Sequence, residues 1–274
     1  MSSRYIIDDI QHCISHEDHQ LHFHHTYQIL FVMKGASEIT FSHTTQIVRE
    51  ESIIFLRNLE QHAVHVIETP YHGYVLHLNP LLTDQNIIDS KLLSILKVRP
   101  ASFCNHINIS RIFSTITSLF EQMLSEFKHH YPYKRELLIQ LVNQLLIQIW
   151  RLSPDSFPMS ALAENETIFQ IQTYIETNYL QDISITNLAQ QFYLSPSYLS
   201  HNFKNMTGFS PKQYLMLLRL SHSKSLLQHS DDSISNIAYK SGFSDINNYI
   251  KYYKHYFDET PSATRKRKKD AKDQ

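Results

Sequence analysis

Histidine is the residue this chain concentrates, with eighteen in 274 residues. Each imidazole can donate, accept or ligate through a ring nitrogen near neutral pH. His16, His19, His22, His24 and His25 crowd ten positions, and His62 and His65 follow the apolar run Ile53–Leu56. Imidazoles at this density suit iron, manganese or zinc when a carboxylate joins them. They also suit hydrogen bonds to a polar organic ligand. A solvated tract without a role is the third reading.

A second set of residues lies in the last hundred positions, where the sequence repeats. Ser184-Ile185-x-x-Leu188-Ala189 returns as Ser233-Ile234-x-x-Ile237-Ala238, and Leu194-Ser195 as Phe243-Ser244. Leu199, Phe203 and Lys204 return as Tyr249, Tyr253 and Lys254, and Ser210-Pro211 as Thr260-Pro261. The offset grows by one residue after the turn. Each copy predicts a helix-turn-helix: a short helix with a small Ala at its crossing, then a four-residue turn at Phe192–Ser195 or Ser241–Ser244. Ser195 and Ser244 are expected to cap the second helices, and Pro196 suits a first helical turn. Leu199 with Phe203, and Tyr249 with Tyr253, lie four apart and should face the core. The residues between them point outward, where base edges would be.

These sites need scaffolds. Residues 21–80 are rich in β-branched and aromatic residues, and predict strands at Tyr27–Met33, Glu38–Phe41, Ile53–Leu56, Ala63–Ile67 and Tyr74–Leu78,. Lys34-Gly35 reads as a turn between the first two. Many short strands predict an antiparallel barrel or sandwich. From Ile109 to Phe127, and again from Leu137 to Ile149, apolar residues step by three and four, which predicts an antiparallel helical hairpin over about 109–151,. Its stripe of Ile112, Ile116, Leu119 and Met123 with Leu138, Leu141, Leu145 and Ile149 is wider than a hairpin alone must bury, so part is expected to pair two protomers. The layout expected is an α+β chain of two domains: 1–152 with the barrel at about 15–100, a Pro-containing linker at 153–165, a helical domain at 166–265, and a basic tail at 266–274.

The repeat also carries a resemblance. Ser195-x-x-Tyr198-Leu199-x-x-x-Phe203-Lys204-x-x-x-Gly208, Ile237-Ala238-x-x-x-Gly242-Phe243 and Tyr249-x-x-x-Tyr253-Lys254-x-x-Phe257-x-x-x-Pro261 resemble the AraC/XylS-type DNA-binding domain over 168–265. Arg219 and Leu226-Leu227 match the long helix that joins the two units there. The resemblance implies a transcriptional regulator whose two recognition helices read successive major-groove segments of double-stranded DNA, roughly 34 Å apart. It directs Ser197, Ser200 and His201 toward bases and Lys204 toward phosphate. In the second unit it directs Ile246, Asn247, Ile250 and Lys251 to the groove and Lys254 to the backbone, with Pro196 and Ser244 at the helix starts. Asn247 suits adenine, Lys251 guanine, and Ile250 a thymine methyl. Two departures stand out. Tyr193 occupies a turn position where a small residue is frequent, and predicts a different turn because a bulky residue resists positive φ. Tyr253 replaces a usual Phe.

The His22-x-His24-x-x-Tyr27-Gln28 stretch, Gly35 and Leu59-Glu60-Gln61-His62 resemble the cupin barrel that often precedes this DNA-binding domain. Metal-binding cupins carry Glu where Gln28 stands. The resemblance therefore implies no metal and no cofactor, but a small-molecule effector lined by His22, His24, Tyr27, Gln28 and His62. A cupin-type metalloenzyme and a ligand-free scaffold are the alternatives. The doubled helix-turn-helix favours a regulator without catalytic residues. Whether it activates or represses is not written in the chain; an activator would meet RNA polymerase.

Composition bounds the rest. The net charge is −1 and 42% of residues are hydrophobic, which excludes a wholly disordered chain. Residues 1–163 hold twelve cations against fifteen anions, and 164–274 thirteen against eleven. The surplus ends in Arg265–Lys269, a run suited either to phosphates or to water. Cys13 and Cys104 form no framework, the N-terminus carries no signal-peptide pattern, and Leu137–Trp150 is too short and polar to span a bilayer. A cytoplasmic homodimer paired through 109–151, without membrane contact, is the expectation.

Overall fold

Strands form where β-branched and aromatic residues alternate, and here they join into one antiparallel sheet. The computed structural model describes residues 5–14, 21–41, 44–97, 105–157 and 166–272. The chain divides into two compact units, 1–165 and 166–274. In the first, β1 (Ile7–Cys13), β2 (Tyr27–Phe41), β3 (Thr45–Arg49), β4 (Ser52–Leu56), β5 (His62–Leu78) and β6 (His106–Asn108) run in the order β1-β5-β2-β4-β6, with β3 on β2.

Two expected breaks are absent. Lys34-Gly35 is not a turn, because β2 continues through it. Its register against β5 shifts on both sides of Lys34, and Gly35 takes φ +84°. A Cβ there would stand 2.6 Å from the Glu68 carbonyl oxygen, so the close approach of β5 requires glycine,. The predicted strands at Ala63–Ile67 and Tyr74–Leu78 are likewise one strand, paired with β2 on both sides of the bulge.

The bulge lets the sheet fold over a core of its own. Leu30 and Val32 before it and Ile39 after it meet Val48, Ile54, Leu56, Val64 and Tyr71 in one buried cluster. Among the described residues no pairing closes the strand path, so the sheet is folded but open where a barrel was expected. The opposite face of β2 is covered by helices. Phe31 packs at 5.6 Å from Phe113 and 5.3 Å from Phe120, ring to ring.

Helices α1 (Pro80–Asn86) and α2 (Ser90–Lys97) follow β5, and α3 (Phe113–Lys128) and α4 (Lys134–Leu152) form the hairpin. The α3 helix packs on β1 and α4 on α2. The apolar stripe assigned to protomer pairing is consumed here. Ile116, Leu119, Met123, Leu138, Leu141, Leu145 and Ile149 are buried within one chain, and Ile112 is half-buried. Its width reflects packing on the sheet and α2, and supplies no surface for a second copy. A 3-10 turn at Pro154–Ser156 carries Phe157 back onto Phe55, so the first part of the predicted linker packs on this unit. The remainder, 158–165, lies outside the described residues.

The second unit is helical: α5 (Glu166–Asn178), α6 (Ile185–Gln191), α7 (Pro196–Thr207), α8 (Pro211–His229), α9 (Ile234–Lys240), α10 (Ile246–Phe257) and α11 (Pro261–Lys272). The repeat in sequence is a repeat in space, with α6-turn-α7 answered by α9-turn-α10. Ser184 and Ser233 cap the first helices, each accepting the N–H three residues on. The linking helix α8 opens with a capping box of Ser210 and Gln213 behind Pro211,. The residues named as a basic tail continue α11 to Lys272, where Arg265 donates to the Asp232 carbonyl at 2.7 Å and Arg267 pairs with Glu259 at 2.5 Å.

Candidate nucleic-acid interface and ligand site

Burial on one side of each recognition helix fixes what the other side presents. In α7, Leu199 and Phe203 are fully buried, and in α10 Tyr249 and Tyr253 are. The Tyr253 hydroxyl, which a Phe would lack, meets Thr264 Oγ1 at 2.9 Å and is thereby satisfied,. Ser197, His201 and Lys204 are exposed on α7, with Ser200 half-buried. Asn247, Ile250, Lys251 and Lys254 are exposed on α10, at the steps of three and four that share one helical face,. Ile246 differs: it is half-buried against the core that holds Tyr249, Tyr253 and Leu227. His201 is engaged within its own helix, its Nε2 accepting from the Asn205 amide at 3.1 Å.

The two turns resolve the Tyr193 question. Tyr193 takes φ +55°, the counterpart of Gly242 at +84°. The turn is not remodelled. Tyr193 is 97% exposed, so its side chain meets nothing that forbids the left-handed conformation, and only local backbone strain remains,. The capping assignment changes in the second unit. Ser195 caps α7, accepting from Tyr198 N at 3.2 Å, with Pro196 in the first turn. The cap of α10 is Asp245, not Ser244; its carboxylate accepts from Asn247 N at 2.7 Å and from the Asn248 amide at 3.1 Å. Cap and helix start are offset by fifty between the two units, against forty-nine at Leu194 and Phe243, so the extra residue of the second copy is Ser244. The insertion therefore moved the cap along by one and left Ser244 exposed. Tyr198, 54% exposed on α7, and Asn248 on α10 also border these faces, and neither was directed to DNA from sequence.

In the first unit the structure gathers His22, His24, Gln28 and His62. Gln28 lies on the interior face of β2 with Leu30 and Val32, and His62 on that of β5 with Val64. His22 and His62 exchange backbone hydrogen bonds at 2.9 Å. The His22 and His24 rings stand 4.5 and 5.0 Å from that of His62. His24 Nε2 donates to Gln28 Oε1 at 2.7 Å, and its Nδ1 faces Thr26 Oγ1 at 3.2 Å. One ring nitrogen from each of His22, His24 and His62 lies within 4.8 Å of the others. Burial holds His24 well below the usual imidazole range, helped by His62, and holds His62 down to about 4, helped by His22,. These imidazoles are neutral at pH 7.

Tyr27 does not join them. Neighbours on a strand face opposite ways, and Tyr27 is fully buried on the helical side, where its hydroxyl donates to Asp84 at 3.4 Å. His77 takes the place that sequence reasoning gave to Tyr27. Its β5 position pairs with Gln28, its Nδ1 meets Thr26 Oγ1 at 2.9 Å, and its ring is 5.0 Å from that of His24. Only strand register reveals it, since forty-nine residues separate His77 from Gln28. His16 and His19 lie outside the described residues.

A pair of helix-turn-helix units with exposed polar faces in one unit, and a separate sheet unit that gathers buried imidazoles, define a DNA-binding protein with its own ligand domain. The comparisons agree. Residues 10–146 match the AraC-like ligand binding domain and residues 188–267 a helix-turn-helix domain. The chain belongs to the AraC family of DNA-binding transcriptional regulators. It is 27% identical over 248 residues to the HTH-type transcriptional activator RhaS of Klebsiella pneumoniae (strain 342), covering 89% of this chain and 86% of that protein. Against the RhaS of Citrobacter koseri it is 33% identical over 122 residues, 44% of each chain. Its fold is similar to unsaturated fatty acid bound wild-type ToxT from Vibrio cholerae strain SCE256, with a TM-score of 0.62 at 12% identity over 93% of this chain and 92% of that one. Among the described residues no helix is long and apolar enough to cross a membrane.

Proposed function

We propose that this regulator activates transcription by docking α7 and α10 in successive major-groove segments, under control of a ligand held beside His22, His24, Gln28 and His62. The observation that carries the reading is the matched pair of capped recognition helices, each with one face buried and the other presenting polar side chains. Asn247, Ile250 and Lys251 supply base contacts, Ser197, Ser200 and His201 weaker ones, and Lys204 and Lys254 phosphate contacts. The relatives named as activators support activation, which brings in RNA polymerase as a partner. A cytoplasmic homodimer belongs to the same proposal; with the apolar stripe buried, the exposed polar rim of α3 and α4 would have to carry it. A protein of similar fold, solved bound to an unsaturated fatty acid, supports a small-molecule effector in the first unit.

The test is selection of bound sites from random DNA by the full chain, followed by footprinting. Two protected boxes one helical turn apart are expected, with affinity falling steeply as salt rises. A single box, or protection without sequence preference, would overturn the paired-groove reading.

A further inference from the structure

Each recognition helix has a flank that neither the core nor the base-facing side uses. Successive residues of an α-helix turn by about 100°. In α7 the buried pair Leu199 and Phe203 lies opposite Ser197, His201 and Lys204, and Tyr198 and Asn202 fall on the flank between them,. In α10 the buried pair is Tyr249 and Tyr253, the base-facing side holds Asn247, Lys251 and Lys254, and the flank holds Asn248 and Tyr252. The flank positions correspond at the offset of fifty, with Tyr and Asn exchanged. Lys204 and Lys254 are the one identity between these two helices. An uncharged Tyr–Asn pair four apart is therefore not a by-product of overall likeness, and a solvated flank ordinarily carries charges instead.

The two members of each pair differ in what they leave free. Asn202 donates its amide to the Tyr198 carbonyl at 3.0 Å, and Asn248 donates to the Asp245 carboxylate at 3.1 Å. Tyr198 is 54% and Tyr252 37% exposed, and among the described residues neither hydroxyl has a hydrogen-bond partner in the chain. Each recognition helix thus offers one free phenolic donor, outside the arc turned to bases.

The dimensions of the groove say what that donor meets. The major groove of B-DNA is about 12 Å wide, and an α-helix with its side chains is about 10–12 Å across. A helix that turns Ser197 and His201, or Asn247 and Lys251, to the base edges brings its flank against a strand backbone. A tyrosine hydroxyl there donates to a phosphate oxygen, a contact that fixes register without reading sequence. We propose that Tyr198 and Tyr252 anchor the two recognition helices to the groove walls, each hydroxyl donating to one phosphate of the duplex. The inference rests on the paired-groove reading and adds to it one neutral backbone anchor per helix.

The experiment is competition binding by the full chain and its Tyr198→Phe and Tyr252→Phe variants. The probes are the duplex that wild type selects from random DNA and single-base variants of it, over a range of salt. Phe keeps the ring and removes only the hydroxyl. Each variant is expected to bind about tenfold more weakly on every duplex alike, the loss of one hydrogen bond to a charged acceptor. The double variant should lose about a hundredfold, since the hydroxyls sit on different helices. The salt slope should stay at its wild-type value, because a neutral donor releases no counterion; Lys254→Ala, which removes a cation, supplies the contrast. Wild-type affinity in both variants would overturn the proposal. So would a loss confined to one base pair, which would make the tyrosine a base reader. Full DNA affinity with activation lost in a transcription assay would give the flank to RNA polymerase and overturn it too. If wild type selects no paired boxes, the paired-groove reading falls and takes this inference with it; if wild type selects them and the variants bind equally, this inference alone falls.

Discussion

Gly242 sits so close to Arg219 that a Cβ on it would lie 2.8 Å from the guanidinium Nε. That guanidinium donates to the Tyr179 carbonyl at 2.7 Å and the Gln181 carbonyl at 2.6 Å. One side chain of the linking helix α8 thus joins the end of α5 to the turn of the second helix-turn-helix, and the turn must be glycine both for its φ of +84° and for this contact,.

The two turns of the repeat should therefore respond in opposite senses. Gly242→Ala should destabilise the full chain by about 2 kcal/mol, from left-handed strain and displacement of Arg219. At the counterpart, Tyr193→Asn should stabilise by up to about 1 kcal/mol, since Asn tolerates the left-handed region. Urea melts of both variants check the pair; equal signs would show that the turns are not equivalent.

The moved cap gives a second test. Asp245→Ala should cost about 1 kcal/mol by removing the acceptor at the start of α10, while Ser244→Ala should be nearly neutral. In the first unit the effect should sit on Ser195→Ala. Thermal melts of the three variants measure it.

On DNA, Lys251→Ala should cost about 1–3 kcal/mol and relax preference at one base pair. Lys254→Ala should weaken all sequences alike and reduce the salt slope by about 1. Competition binding against single-base operator variants separates these outcomes. A uniform loss for Lys251→Ala would make it a phosphate contact.

Stability of the protein should fall in mild acid. Burial holds His25 and His62 down to about 4, from an ordinary value of about 6.5,. A base whose folded pKa is depressed is protonated preferentially in the unfolded chain. Stability is therefore full above pH 6.5 and is lost as the pH falls toward 4, by up to about 3 kcal/mol for each group. Urea midpoints between pH 7.5 and 4 measure this; a flat profile would show these rings hydrated in the native state.

The sequence alone determined the C-terminal unit almost completely, because its signals are local. Capping serines, N-terminal prolines and apolar residues four apart act within a helix or across one turn, so Leu199, Phe203, Tyr249 and Tyr253 could be assigned to the core and Asn247, Ile250 and Lys251 to the surface. Only the cap was misassigned there, to Ser244, because the one extra residue of the second copy moves the cap on to Asp245. In the first unit, residue types announced strands, but only tertiary structure decided their extent. Lys34-Gly35 reads as a turn until β5 lies along both sides of it, when the same glycine becomes a bulge. Strand register, set across the sheet and not along the chain, brought His77 to Gln28, turned Tyr27 away, and left His62 Nε2 buried without a partner.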